Sequence, residues 1–216
     1  MTSFEIRQCT NPDCGLRLPV DLEIHRGEFC PRCGAALTRV SKSYQHQILH
    51  LDSPRSFRFE VLLDNVRSAY NVGAIFRTAD GAGVDHVYLC GITPNPEENP
   101  AIGKTALGAE KEVSWSAHPN ALRLASDCRE KGYRLLALEG APDAVPMGQF
   151  HLDALSEQPL LLILGNERAG VDPGLMDLCE TVLALPMAGC KASLNVAVSF
   201  GIAAYWLLWG CNGMAY

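Results

Sequence analysis

Along the chain, short, mostly apolar runs alternate with longer stretches whose apolar residues recur at helical spacing. Phe59–Leu63, Asp85–Cys90, Tyr133–Leu138, Leu160–Leu164 and Val182–Leu185 belong to the first kind. All five read as strands, and Tyr133–Leu138 and Leu160–Leu164, the continuous runs, read as strands covered on both faces, the habit of a parallel sheet. Val72–Ala82 reads as a helix, and so does the segment from Pro119 to about Lys131, with the proline as its first residue. Asp172-Pro173 supplies an N-cap and a first-turn proline for a short helix through Cys179. Ser193–Leu208 forms a last helix with Ser193 as its cap. Strands alternating with helices predict an α/β domain with a mainly parallel sheet and helices on both faces.

The last helix carries Leu194, Val198, Ile202, Tyr205 and Trp209 at helical spacing, with Val196, Ala203, Trp206 and Leu208 on its other sides. A helix apolar nearly all round wants burial on more than one face. Core plus a subunit interface satisfies it, and so does a wholly intrachain core position. Leu194–Trp209 is too short for the ~20 residues that span a bilayer, and Asn195, Ser199 and Gly201 interrupt it, so no membrane segment is expected. Met1–Thr10 carries Glu5 and Arg7 and lacks the apolar stretch of a secretory signal, which predicts a cytoplasmic protein.

Composition changes the picture in two places. The formal net charge of −6 over 216 residues argues against a protein that coats nucleic acid by bulk charge, without excluding RNA bound in a local basic groove. Residues 1–50 hold six Lys/Arg against five Asp/Glu, and the remainder twelve against nineteen. Four of the nine cysteines, Cys9, Cys14, Cys30 and Cys33, fall in this first part as C-x4-C-x15-C-x2-C. A boundary follows: a small module over 1–45, a linker over 46–56 containing Ser53-Pro54, and the α/β domain over 57–216.

In a reducing compartment, close-set cysteines read as metal ligands before disulfides. Glycine follows the second cysteine of each pair, allowing backbone N–H groups to turn toward the sulfurs, and Pro31 stiffens the second knuckle. The module resembles a zinc ribbon, implying a structural Zn²⁺ held by Cys9, Cys14, Cys30 and Cys33; a disulfide framework and a rubredoxin-like iron site are the alternatives. A unit this small draws its folding free energy from the metal. His25 is read as a surface histidine, and Arg7, Arg17, Arg26, Arg32 and Arg39 make the ribbon either an RNA-contacting lobe or a solvated basic face.

Three segments of the larger domain mix glycine and polar residues beyond what a packed core requires: Asn71-Val-Gly-Ala-Ile-Phe-Arg77, Gly165-Asn-Glu-Arg-Ala-Gly170, and Pro186-Met-Ala-Gly-Cys-Lys-Ala-Ser193-Leu-Asn195-Val. The second and third follow apolar strands, at the strand ends where open α/β sheets place ligand crevices. No G-x-G-x-x-G follows the first strand, which leaves a dinucleotide-binding reading weak.

In this order the three segments resemble motifs 1, 2 and 3 of the SpoU (TrmH-like) branch of the SPOUT RNA methyltransferases, over about residues 58–209, and Lys104–Glu110 resembles the loop after the family's second strand. The resemblance implies methylation of a ribose 2′-hydroxyl in tRNA or rRNA with S-adenosylmethionine as donor, a homodimer formed through the C-terminal domain, and a C-terminal trefoil knot. It also implies that Arg77, Glu167, Ser193, Asn195 and Asn71 are the catalytic set. Leu138, Gly165, Asn166, Leu185, Met187 and Leu194 fall at cofactor-pocket positions.

Each of these residues also has a structural reading. The apolar ones are ordinary core residues, Glu167 a capping carboxylate, Asn71 a helix cap, and Arg77 a surface cation. A guanidinium with a pKa above ~12 suits phosphate clamping and alkoxide stabilisation better than proton abstraction. Arg77, Lys104, Lys111, Arg168 and Lys191 are the cations expected to meet RNA, and Cys190 is read as incidental to the chemistry. The alternative is a non-catalytic zinc-ribbon RNA-binding or adaptor protein that retains the methyltransferase fold.

Overall fold

A computed structural model describes residues 3–24, 27–45, 57–150 and 157–210. The expected linker over 46–56, together with His25 and Arg26, lies outside the described residues. The chain divides into two compact units, Met1–Asp52 and Ser53–Tyr216.

In the first unit, β1 (Phe4–Cys9), β2 (Arg17–Asp21) and β3 (Leu37–Arg39) form an antiparallel sheet in the order β2-β1-β3. Glu5 is buried on β1 and paired with Arg7 and Arg39, so two of the basic residues are committed inside the unit. Among the described residues, its buried apolar side chains are Cys9, Val20 and Cys30. That is far too little surface to hold a fold together by burial.

The second unit is built on β4 (Phe59–Asp64), β5 (His86–Cys90), β6 (Trp115–His118), β7 (Arg134–Leu138), β8 (Val145–Pro146), β9 (Leu160–Leu164) and β10 (Thr181–Ala184). They form one sheet in the order β6-β5-β4-β9-β7-β10-β8, parallel in every described pairing. The helices are α1 (Ala69–Ala82), α2 (Gly103–Ala106), α3 (Ala109–Glu112), α4 (Ala121–Glu130), α5 (Pro173–Leu178) and α6 (Val196–Tyr205).

Side chains on these strands alternate strictly between two cores. Val61, Leu63, Leu136, Leu160 and Leu162 join Val72, Ile75 and Phe76 of α1 and Phe200 of α6 in one cluster. Leu62, Leu135, Ala137, Leu161 and Ile163 join Ala121, Ala125 and Cys128 of α4 and Leu175 of α5 in the other. The mainly parallel sheet with helices on both faces is therefore as expected. Its register brings Leu63, Leu164 and Leu138 level, so the carboxyl ends of β4, β9 and β7 open at one height.

Two helix starts differ from expectation. Pro119 stands outside α4, and Asn120 caps it by accepting the Arg123 N–H at 2.9 Å. The cap of α6 is Asn195 rather than Ser193: its Oδ1 accepts the N–H groups of Ala197 and Val198. Ser193 lies two residues upstream in an exposed loop. At its far end α6 passes into a wider π-helical turn over Trp206–Gly210. There the 3.6-residue period breaks, and Trp209 packs on the core instead of extending the stripe of Leu194, Val198, Ile202 and Tyr205, which stays exposed. No helix of the described residues is long and apolar enough to cross a membrane.

Candidate active site

A cavity of about 440 Å³ opens at the carboxyl ends of β7, β9 and β10. This volume lies within the range of roughly 300–1,000 Å³ typical of small-molecule and cofactor sites. Leu138, Leu164, Leu185, Met187 and Leu194 give it an apolar lining, and Asn71, Glu139, Ser193 and Asn195 place polar groups around it. A flat apolar ring with a polar tail matches this donor set, so the residues present fit S-adenosylmethionine.

The loop after β9 is a closed turn. Asn166 and Gly170 exchange backbone hydrogen bonds of 3.0 and 2.9 Å. A Cβ on Gly165 would lie 2.2 Å from the Gly170 carbonyl carbon, so only glycine permits the turn. Asn166 Oδ1 accepts the N–H groups of Arg168 and Ala169, while Nδ2 donates to the Asn65 carbonyl at 2.7 Å. Asn166 therefore lines the cavity with its side chain already committed to bracing the loop. Asn65 itself adopts φ 55°, a left-handed conformation, and its Oδ1 accepts the Ile92 N–H. It ties the loops after β4, β5 and β9 together.

The three motifs converge through one hydrogen-bonded chain. Glu167 Oε2 accepts the Arg67 N–H at 2.9 Å; its Oε1 accepts the Ser68 N–H at 3.0 Å and Asn71 Nδ2 at 2.9 Å. Asn71 Oδ1 in turn accepts Asn195 Nδ2 at 3.0 Å. Burial works to raise the Glu167 pKa, but these donors outweigh it and hold the carboxyl below its usual range. A carboxylate so stabilised is a poor proton acceptor at neutral pH. It accepts the backbone N–H groups just ahead of α1 and holds the Asn71 side chain.

Gly73 of the first motif serves packing. Its Cβ would fall 2.2 Å from Thr105 Oγ1 and 2.3 Å from the Ile102 carbonyl oxygen, where α1 meets α2. Arg77 stands apart from the rest: it is exposed, outside the cavity wall, and its side chain has no ion pair or hydrogen bond among the described residues. Six residues beyond Asn71, it is displaced about 120° around the helix and about 9 Å along it. Glu139 and Gly140 also line the cavity; they lie outside all three motifs, and their only sequence signal is position, directly after a buried strand.

In the N-terminal unit, the sulfurs of Cys9, Cys14, Cys30 and Cys33 lie within 4.8 Å of one another. Cys9 and Cys33 are 3.4 Å apart, Cys14 and Cys30 3.8 Å. Tetrahedral Zn–S bonds of about 2.3 Å space sulfurs by about 3.8 Å, so the cluster could hold a metal ion of that kind. Burial opposes ionisation of Cys30, yet the Arg32 and Cys33 N–H groups prevail and draw its thiol down to about 7.

The sequence matches the model of the SpoU rRNA Methylase family over residues 58–205. A 23S rRNA (guanosine-2′-O-)-methyltransferase RlmB of Pseudomonas aeruginosa is 32% identical over 149 residues, which cover 68% of this chain and 56% of that protein. A tRNA (guanosine(18)-2′-O)-methyltransferase of Aquifex aeolicus is 28% identical over 146 residues, 67% of this chain and 66% of that one. Among solved structures, the A. aeolicus TrmH/SpoU tRNA modifying enzyme superposes with a TM-score of 0.62 at 26% identity, covering 72% of this chain and 76% of the other. An AdoMet-bound rRNA methyltransferase from Sinorhizobium meliloti gives a TM-score of 0.63 at 27% identity, covering 73% of this chain and 57% of the other. The chain spans between about half and two thirds of the length of the curated relatives it matches. With the sheet, the strand-end cavity and the three converging loops all inside the matched segment, the chain belongs to the SpoU rRNA Methylase family.

Proposed function

We propose that this protein transfers a methyl group from S-adenosylmethionine to a ribose 2′-hydroxyl of tRNA or rRNA. The observation that carries this reading is the hydrogen-bonded chain from Arg67 and Ser68 through Glu167 and Asn71 to Asn195, which locks all three motif loops around one cavity. The relatives named above methylate guanosine 2′-hydroxyls in 23S rRNA or tRNA, which supports the same substrate class here.

Bound S-adenosylmethionine supplies an electrophilic methyl group on a sulfonium. Leu138, Leu185, Met187 and Leu194 provide the apolar surface for an adenine ring, and Gly165 keeps the β9 loop closed beside it. Asn71 and Asn195 fix the mouth of the cavity. The Ser193 hydroxyl, without a hydrogen-bond partner among the described residues, is free to meet the substrate ribose. Arg77 clamps an RNA phosphate and stabilises negative charge developing on the 2′-oxygen, a role its permanent charge suits. Most of the rate then comes from positioning two reactants in line.

The reading extends to the assembly. The exposed stripe of Leu194, Val198, Ile202 and Tyr205 on and before α6 is the surface a homodimer would cover, and we place the family's trefoil knot in the same C-terminal part of the chain. The four-cysteine cluster fits a structural Zn²⁺, and thiolate ligands of this kind suit a reducing, cytoplasmic compartment. We take residues 1–45 as a zinc-ribbon module, 46–56 as a linker and 57–216 as the methyltransferase domain.

The test is Arg77→Ala. Methyl transfer to RNA should fall by at least a hundredfold while S-adenosylhomocysteine binding by calorimetry is retained, as expected for loss of a transition-state contact of ~3 kcal/mol. Unchanged turnover in this variant removes the assignment.

A further inference from the structure

The cavity wall carries two carboxylates, and they are used differently. Glu167 faces the start of α1, with two donors on one oxygen and one on the other. Glu139 follows Leu138 at the end of β7, where the β7–β9 register sets it beside Gly165. Its Oε2 accepts the Val171 N–H at 2.9 Å and its Oε1 the Gly140 N–H at 3.0 Å. Gly170, at φ 76°, makes room for it, since a Cβ there would stand 2.5 Å from Glu139 Oε2. An ionised carboxylate has about four acceptor directions, two on each oxygen. Backbone donors occupy one direction on each, so each oxygen keeps an acceptor site, and the same donors hold the group still.

We propose that Glu139 selects the cofactor in this cavity, its two carboxylate oxygens accepting the paired hydroxyls of a ribose whose base lies on the apolar surface of Leu138, Leu185 and Leu194. This inference rests on the proposed function and assigns to a residue of this chain a contact that the three motifs leave unfilled. Two adjacent acceptors match two adjacent O–H donors. An acidic side chain at the carboxyl end of a parallel strand is also the arrangement by which other open α/β folds bind ribose hydroxyls. Hydrogen bonds to an ionised acceptor are the stronger kind, so the contact contributes to selectivity as well as orientation.

The experiment is calorimetric titration of the full chain with S-adenosylhomocysteine and with its 2′-deoxy and 3′-deoxy forms, and separately with S-adenosylmethionine, for the wild type, Glu139→Gln and Glu139→Ala. The wild type should bind the parent compound on the order of tenfold more tightly than either deoxy form. Glu139→Ala should bind all three equally and more weakly. Glu139→Gln, which keeps an acceptor for the Val171 N–H and so controls for folding, should retain partial discrimination. Wild-type discrimination surviving in Glu139→Ala overturns the inference. So does a loss in Glu139→Ala that is much larger for S-adenosylmethionine than for S-adenosylhomocysteine, because that places the carboxylate at the sulfonium. A wild type that binds no S-adenosylhomocysteine overturns the proposed function itself, a result distinct from binding without ribose selectivity.

Discussion

Replacing Gly73 by alanine tests whether the glycine of the first motif serves helix packing. The added Cβ would meet Thr105 Oγ1 at 2.2 Å, the Ile102 carbonyl oxygen at 2.3 Å and the Ala106 nitrogen at 3.1 Å. Two of these are backbone atoms of α2 or its cap, and the threonine hydroxyl is itself held by the Tyr70 carbonyl at 2.9 Å, so no flexible side-chain end can swing aside. Overpacking by a methyl costs about 1–3 kcal/mol, and the backbone contacts put this case at the upper end. Alanine recovers about 1 kcal/mol of helix propensity over glycine, leaving a net loss of about 2 kcal/mol. For a domain of this size that lowers the melting temperature by roughly 4–8 °C. Because α1 must shift and Asn71 sits two residues away, S-adenosylhomocysteine binding should weaken in parallel. Gly201 of α6 is the control. Its Cβ would find only Thr78 Cγ2 at 3.7 Å, so Gly201→Ala should melt at the wild-type temperature or above. Thermal unfolding by circular dichroism, with binding measured on the same samples, decides it. A Gly73→Ala protein as stable as the wild type refutes the packing role.

Asn65→Gly and Asn65→Ala both lose the side-chain bonds to the Ile92 N–H and to Asp64 Oδ1, but only alanine adds steric strain, about 1–2 kcal/mol, in the left-handed backbone; urea unfolding should rank Ala below Gly, and the reverse order contradicts the strain. Glu167→Gln leaves one N–H at the start of α1 without its acceptor and should cost about 1 kcal/mol at neutral pH, the exposure of the site keeping it near that value. The Glu167 pKa is depressed in the folded chain, so its contribution is present above the ordinary carboxylate range and is lost as pH falls through the folded value. Stability differences between wild type and Glu167→Gln should therefore shrink in acid, and a difference that grows there is inconsistent with the bonds described. Stripping metal with a chelator should abolish amide protection in β1–β3 while leaving the melting of the 53–216 unit unchanged; protected β1–β3 amides in metal-free protein would show a fold that stands without it.

β9 is the most legible strand because it is covered on both faces, and Leu160–Leu164 is leucine or isoleucine throughout. β6 shows the converse. Trp115–His118 lies at the sheet edge, half-covered, and its serine and histidine break the apolar run that marks the buried strands. At the start of α6 two residues able to cap a helix, Ser193 and Asn195, stand close together. Nothing local distinguishes Ser193 from Asn195 until the chain is seen to place Asn195 against Asn71, 124 residues earlier. The motif glycines were recognised as signals, yet their physical purpose depends on what approaches them: Gly73 on the α2 backbone, Gly165 on Gly170. Glu139 has no motif around it, and only the register of β7 against β9 brings it to the cavity.

The position of the transferred methyl group tests the account most directly. The purified chain would be incubated with unmodified tRNA or rRNA and S-adenosylmethionine carrying a labelled methyl, and the RNA digested to nucleosides for mass spectrometry. Label is expected in 2′-O-methylated nucleosides. Label on a base, or none in any nucleoside while S-adenosylhomocysteine binds, would contradict it.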